Sequence, residues 1–260
     1  MTLTNIIHYT QMAAQQGRDS AMRLRDRIAI VTGSSSGIGR SIARGLADEG
    51  ARVIVAARST DKLATLVSEI EAAGGKAQAV TSDVTDEAQV QALFRTCRES
   101  YGAPDLVVNN AGIADHTPST ELSLQRWNEV IAINLTSVFL CSREAMRLMT
   151  GGGRIINIGS ISAKVPRQNT AAYTASKFGL EGLTRSLALD GRENGIAVSM
   201  LHPGSTTSSL VPGITDQPRP GSMDPDDVAR VVVLMASLPA DVNLFESTIL
   251  PVSMPFLGRG

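Results

Sequence analysis

The chain has 260 residues, 43% of them hydrophobic, with 24 basic and 25 acidic side chains and a formal net charge of −1. That length suits one α/β domain with a sizeable core, and the balanced charge excludes electrostatic steering of nucleic acid or an anionic membrane surface. No apolar run reaches the roughly 18 residues of a membrane helix, and Cys97 and Cys141 share no metal-ligand spacing with His8, His116 and His202, so no metal site is expected and the cysteines read as reduced thiols of a cytoplasmic protein.

Residues 1–21 precede the first strand. Ile6 and Ile7 are too few for a signal-peptide core, so a poorly ordered extension is expected there, with one domain over 22–260. From Arg27 onward, apolar β-rich runs alternate with helix-length segments. Strands are expected at Ile28–Val31, Val53–Ala57, Ala77–Val80, Leu106–Val108, Ile155–Ile158, Ala197–Leu201 and Thr248–Leu250. Several are continuously apolar, as strands covered on both faces are. Helices are expected over Asp61–Ala73, Asp86–Tyr101 (with Thr85 as its cap), Ser123–Met149 and Ala171–Ala188. Such alternation predicts an α/β doubly wound fold, about seven parallel strands with helices on both faces.

The first strand runs into Thr32-Gly33-Ser34-Ser35-Ser36-Gly37-Ile38-Gly39, and a helix follows, with Ile42 and Leu46 four apart on one face. Glycines at a strand-to-helix turn let the backbone approach a pyrophosphate, and the helix N-terminus offers unpaired N–H groups and partial positive charge. Gly33, Ser35, Ser36, Gly37, Ile38 and Gly39 are therefore candidate cofactor contacts. Arg58 follows the second strand, where dinucleotide folds carry an acid for a ribose 2′-hydroxyl or an arginine for a 2′-phosphate. Arginine there favours NADP(H), with NAD(H) still open. Asp83-Val84 and Asn109-Asn110-Ala111-Gly112 stand at the carboxyl ends of the third and fourth strands, where doubly wound folds bind ligands.

Ser160 ends the fifth strand. Tyr173 and Lys177 lie at i and i+4 on the helix after it, sharing a face. The Gly-x-x-x-Gly-x-Gly turn, the Asn-Asn-Ala-Gly run, the strand-end serine and Tyr-x-x-x-Lys, in this order, resemble the short-chain dehydrogenase/reductase family over residues 25–210. That resemblance implies a Rossmann-type fold, with Asp83, Val84, Asn109, Ala111 and Gly112 along the cofactor. It implies an active site of Asn134, Ser160, Tyr173 and Lys177, with the last two also touching the cofactor. Pro203, Gly204, Thr206 and Ser208 complete the cofactor set; Ser208 stands where the family usually has threonine. The resemblance also implies a homodimer or homotetramer. Gly179, Leu180, Leu183 and Leu187 offer an apolar side that fits either a subunit interface or the core.

These residue types make chemical sense together. Reducing a ketone needs a hydride to carbon and a proton to oxygen; the nicotinamide carries the first and the protein supplies the second. Bringing a tyrosine from its ordinary pKa of about 10 to about 7 takes roughly 4 kcal/mol. An ammonium about 5 Å away, at an effective dielectric of about 20, supplies roughly 3 kcal/mol. Ser160 would steady charge on the substrate oxygen. Asn134, by the resemblance, would hold a water linking Lys177 to solvent. His202, just ahead of Pro203-Gly204, is expected to be structural. Residues 211–224, rich in Pro, Gly, Ser and Asp, are expected to form a substrate-covering loop.

The C-terminal tail lacks the family's commonest ending and is more similar to that of its 3-hydroxy-acid dehydrogenases. The expected activity is NAD(P)-dependent interconversion of a secondary alcohol and a ketone on a small hydroxy or oxo substrate. The alternatives are a 3-oxoacyl thioester reductase and a non-catalytic dinucleotide sensor.

Overall fold

The computed structural model describes residues 22–207 and 221–254. The expected N-terminal extension, Ser208 and residues 211–220 of the expected loop lie outside the described residues.

The seven strands are β1 (Ile28–Thr32), β2 (Arg52–Ala57), β3 (Lys76–Thr81), β4 (Leu106–Asn109), β5 (Gly153–Ile158), β6 (Ile196–Pro203) and β7 (Glu246–Ile249). They form one sheet in the order β3-β2-β1-β4-β5-β6-β7, each pair parallel. The order reverses between β1 and β4, and such a switch point opens a crevice at the carboxyl ends of the strands. The helices are α1 (Gly37–Asp48), α2 (Thr60–Ala72), α3 (Glu87–Ser100), α4 (Leu124–Ile131), α5 (Ser137–Leu148), α6 (Ala171–Asp190) and α7 (Pro225–Ala236).

The continuous apolar runs follow from burial on both faces. Ala29, Val31, Val53 and Val55 point to the layer with Ile42 and Leu46 of α1 and Val228 and Val232 of α7. Their neighbours Ile28, Ile30 and Ile54 point the other way, to Val90 and Leu93 of α3 and Leu140 of α5. Alternate residues of a strand serve opposite faces, so both must be apolar. Leu180 and Leu187 are buried, which assigns the questioned side of α6 to the core.

Two expectations about helices are corrected. Thr85 is not the cap of α3: Asp86 is, its carboxylate accepting from the N–H groups of Ala88 (2.9 Å) and Gln89 (3.2 Å). A carboxylate also suits the positive helix end better than a hydroxyl does. The single helix expected over Ser123–Met149 is broken by a π-turn at Ala132–Thr136 between α4 and α5. Asn134 sits in that turn, fully buried, and its side chain is claimed from outside the helix. Oδ1 accepts from Ile113 N–H (2.8 Å), and Nδ2 donates to Ile113 C=O (2.9 Å) and Ser176 Oγ (3.1 Å). These long-range bonds outweigh the regular ladder, and π-turns of this kind recur at functional sites.

Candidate active site

A cleft of about 750 Å³ opens over the carboxyl ends of the strands. One wall is the turn from β1 into α1. Gly33 (φ 64°) and Gly37 (φ 51°) take left-handed backbone conformations. Gly39 has no room for a side chain, because a Cβ would collide with the Gly33 carbonyl and the Asn110 amide. The first turn of α1 carries no acidic residue. Ser35, Ser36 and Ile38 line the same wall. The chain thus presents backbone N–H groups, a helix N-terminus and no opposing carboxylate, the donor set that suits a pyrophosphate.

Arg58, Asp83 and Val84 border the cleft at the ends of β2 and β3. Asp83 accepts from the N–H (2.9 Å) and hydroxyl (2.7 Å) of Thr85, and these bonds hold its carboxyl below the usual range. Ala111 and Gly112 line the cleft after β4. Asn109, also expected there, is buried and is not among the residues that line the cleft. It pairs in register with Asn157 of β5, and its amide donates to Asn157 Oδ1 (2.9 Å) and Ser142 Oγ (3.1 Å) beneath the sheet. Its neighbour Asn110 faces the cleft instead and ties the glycine turn by donating to the carbonyls of Thr32 (3.0 Å) and Gly33 (3.1 Å). Strand alternation puts adjacent residues on opposite faces, and the register of β4 on β5 decides which of the two faces the cleft.

At the other end, Ser160, Tyr173 and Lys177 converge, as their positions in the chain predict. Ser160 caps the short turn Ile161–Ala163, its Oγ accepting from Ser162 N–H (3.1 Å). Its hydroxyl is near enough to the Tyr173 phenol to favour the ionised form of that group. Lys177, 5% exposed, donates from Nζ to the Ile158 carbonyl (2.9 Å) and lies 5.7 Å from the centre of the Tyr173 ring. Burial lowers its pKa to about 8. Burial also raises the phenol, while the Ser160 hydroxyl and the Arg167 charge act downward on it. The downward pull expected of Lys177 on the phenol is opposed by desolvation, the largest influence on both groups.

Asn134 stands behind the wall. Both its amide protons are committed to Ile113 and Ser176, so its side chain acts by holding the Gly112–Ile113 segment. A Cβ on Gly112 would lie 3.3 Å from Asn134 Oδ1 and 3.9 Å from Lys177 Nζ, which places all three side by side. His202 is fully buried, and its Nδ1 donates to the Ser160 carbonyl (2.9 Å). It is structural, as expected, but it steadies the serine directly. Its Nε2 faces Glu246 Oε1 at 3.5 Å. Glu246 and Glu181 are in turn bridged by Lys164 and by Arg185, which ties the Ser160 turn to α6 and β7.

Pro203, Gly204 and Thr206 close the cleft after β6. This segment is pinned to the start of α7 by Thr207 N–H to Met223 C=O and Met223 N–H to Ser205 C=O, both 2.9 Å. Sequence reasoning missed His116, Thr170 and Arg167, which also line the cleft.

Known proteins match this arrangement. The sequence profile described as short chain dehydrogenase matches residues 27–219. The chain is 40% identical over 190 residues to a 3beta-hydroxysteroid dehydrogenase of Mediterraneibacter gnavus, covering 72% of this chain and 69% of that protein. It is 38% identical over 226 residues to a cis-4-hydroxycyclohexanecarboxylate dehydrogenase of Sinomonas cyclohexanicum, covering 82% and 90%. Among solved structures, an alcohol dehydrogenase of Thermococcus sibiricus complexed with 5-hydroxy-NADP superposes with a TM-score of 0.83 at 26% identity, covering 88% of this chain and 97% of the other. With the glycine turn, the parallel sheet and the Ser160, Tyr173 and Lys177 cluster all in place, the chain belongs to the short-chain dehydrogenase family.

Proposed function

We propose that this oxidoreductase interconverts a secondary alcohol and a ketone on a small hydroxy or oxo substrate, using NADP(H) in preference to NAD(H). The observation that carries this reading is the meeting of Ser160, Tyr173 and Lys177 at one end of a cleft whose other end is the glycine turn. The hydroxysteroid and hydroxycyclohexanecarboxylate dehydrogenases among the relatives support alcohol–ketone chemistry.

When bound, the nicotinamide supplies or accepts the hydride. The chain's own residues do the rest. The α1 N-terminus and the glycine turn hold the pyrophosphate, Arg58 receives the 2′-phosphate, and Asp83 and Val84 border the adenine. Lys177 holds the nicotinamide ribose and keeps a positive charge beneath the phenol. Ser160 donates to the substrate oxygen, and Tyr173 gives that oxygen a proton in reduction and takes one in oxidation. Arg58 is exposed and close enough to Asp83 for its charge to act on that carboxyl, which supports its place at the adenosine end.

We assign the domain to residues 22–260 and a homodimer or homotetramer as the working assembly. Exposed Phe139 and Phe178 on α5 and α6 support the assembly, which sedimentation equilibrium tests. Buried thiols at Cys97 and Cys141, both pushed up to about 12 by burial, support a reducing, cytoplasmic setting. The deciding experiment is Tyr173→Phe, assayed on a panel of secondary alcohols and ketones. Cofactor binding should persist while turnover falls by about 10²- to 10⁴-fold; ordinary turnover would defeat the assigned role.

A further inference from the structure

We propose that the substrate is an anionic hydroxy or oxo acid, and that Arg167 is the specificity-determining residue that receives its carboxylate. This rests on the alcohol–ketone reading above and adds the substrate's charge to it.

Arg167 lines the cleft at the end where Tyr173 and Ser160 meet. Among the described residues no carboxylate pairs with its guanidinium, whereas Arg126, Arg143 and Arg185 each grip one. A guanidinium is always charged and carries five donors in a planar fork that matches a carboxylate. Exposed on the cleft lining and without a described carboxylate partner, it is open to an anion from outside.

The backbone beneath Arg167 is fixed. Its carbonyl accepts from the Thr170 hydroxyl at 2.6 Å, and Thr170 is 2% exposed and bonded in turn to Thr174 Oγ1 at 3.0 Å. Asn169, with φ 59°, turns the chain from this loop into α6. The loop that presents Arg167 is therefore tied to the first turn of the helix that carries Tyr173. A substrate held by both would have its reacting carbon and its carboxylate placed by one rigid unit.

The charge of the surroundings agrees. Among the described residues lining the cleft, Asp83 is the only acid, and it lies at the ends of β2 and β3, already bonded to Thr85. The Tyr173 end carries Arg167 and Lys177. Arg167 is close enough for its charge to act on the Tyr173 phenol. A cationic substrate would be repelled there, and a neutral ester would lack the charge-assisted, bidentate bond that a carboxylate makes with the guanidinium.

The test pairs aliphatic and alicyclic hydroxy acids with their own methyl esters, measured as kcat/KM on wild type, Arg167→Lys and Arg167→Met, with cofactor affinity measured separately by titration. The acid-to-ester ratio is the readout, since it cancels any effect of Arg167 on the phenol. Wild type should favour acid over ester by roughly ten- to a hundredfold. Arg167→Met should bring the ratio to about one, mainly through KM, and Arg167→Lys should restore part of it. Equal use of acid and ester by wild type, or an acid preference that survives in Arg167→Met, would overturn the inference while leaving alcohol–ketone chemistry standing. Loss of cofactor affinity in Arg167→Met with no change in the ratio would overturn it too, by moving the residue to the cofactor. Absence of turnover on every acid, ester and neutral alcohol would instead remove the reading on which it rests.

Discussion

Lys177→Met removes a charge from a buried site, and its signature lies in how stability changes with pH. Lys177 is 5% exposed, and burial lowers its pKa from 10.5 to about 8. The folded protein therefore releases this proton at lower pH than the unfolded chain does. Between those two values the unfolded state binds more protons, so stability rises with pH across the interval. Below pH 8 both states are protonated, and the folded state bears the whole cost of burying the charge. At about 1.36 kcal/mol per pH unit the interval corresponds to about 3 kcal/mol. Urea unfolding at about pH 7.5 and about pH 9.5 spans roughly 2 kcal/mol of it. Cys97 and Cys141, raised by burial, shift stability the opposite way as pH climbs, but wild type and variant share them. Losing the bond to the Ile158 carbonyl is a nearly constant offset of about 1 kcal/mol. The stability of Lys177→Met relative to wild type should therefore fall by about 2 kcal/mol between the two pH values. A difference that stays flat would show that the ammonium is not desolvated, and the account of the site's electrostatics would fail.

Arg58→Ala should weaken NADPH binding by about tenfold and leave NADH binding nearly unchanged; parallel titrations check this, and equal losses would remove Arg58 from the 2′-phosphate. Gly39→Ala drives a Cβ into the Gly33 carbonyl and the Asn110 amide, so it should cost about 1–3 kcal/mol of stability. Thermal melts should also lose the upward shift that added cofactor gives wild type, and a retained shift would argue against pyrophosphate at this turn. Asn134→Ala strips the Ile113 backbone of both its side-chain partners in a fully buried place, so urea unfolding should show a loss of roughly 2–4 kcal/mol. A loss below about 1 kcal/mol would mean the π-turn is not held by that clamp.

How much was legible in the chain divides along a physical line. The strands announced themselves because a sheet covered on both faces needs apolar side chains at nearly every position, and Ile28–Val31 and Val53–Ala57 satisfy that locally. The glycine turn was legible because steric exclusion at Gly39 leaves one residue type that fits. Tyr173 and Lys177 were legible because helical spacing puts them on one face and, together with Ser160 and the glycine turn, they resemble the family's active site. What stayed hidden depended on partners far along the chain. The helix expected over Ser123–Met149 breaks because Asn134 bonds Ile113, 21 residues away. Asn109 and Asn110 are alike in sequence, and only the register of β4 on β5 decides which one turns under the sheet. Arg167 carries no local signal, and only the fold brings it to the cleft that Tyr173 lines, with no described carboxylate paired to it. Local sterics and periodicity are written into neighbouring residues, whereas the partner of a polar side chain is chosen by the packing of the whole sheet.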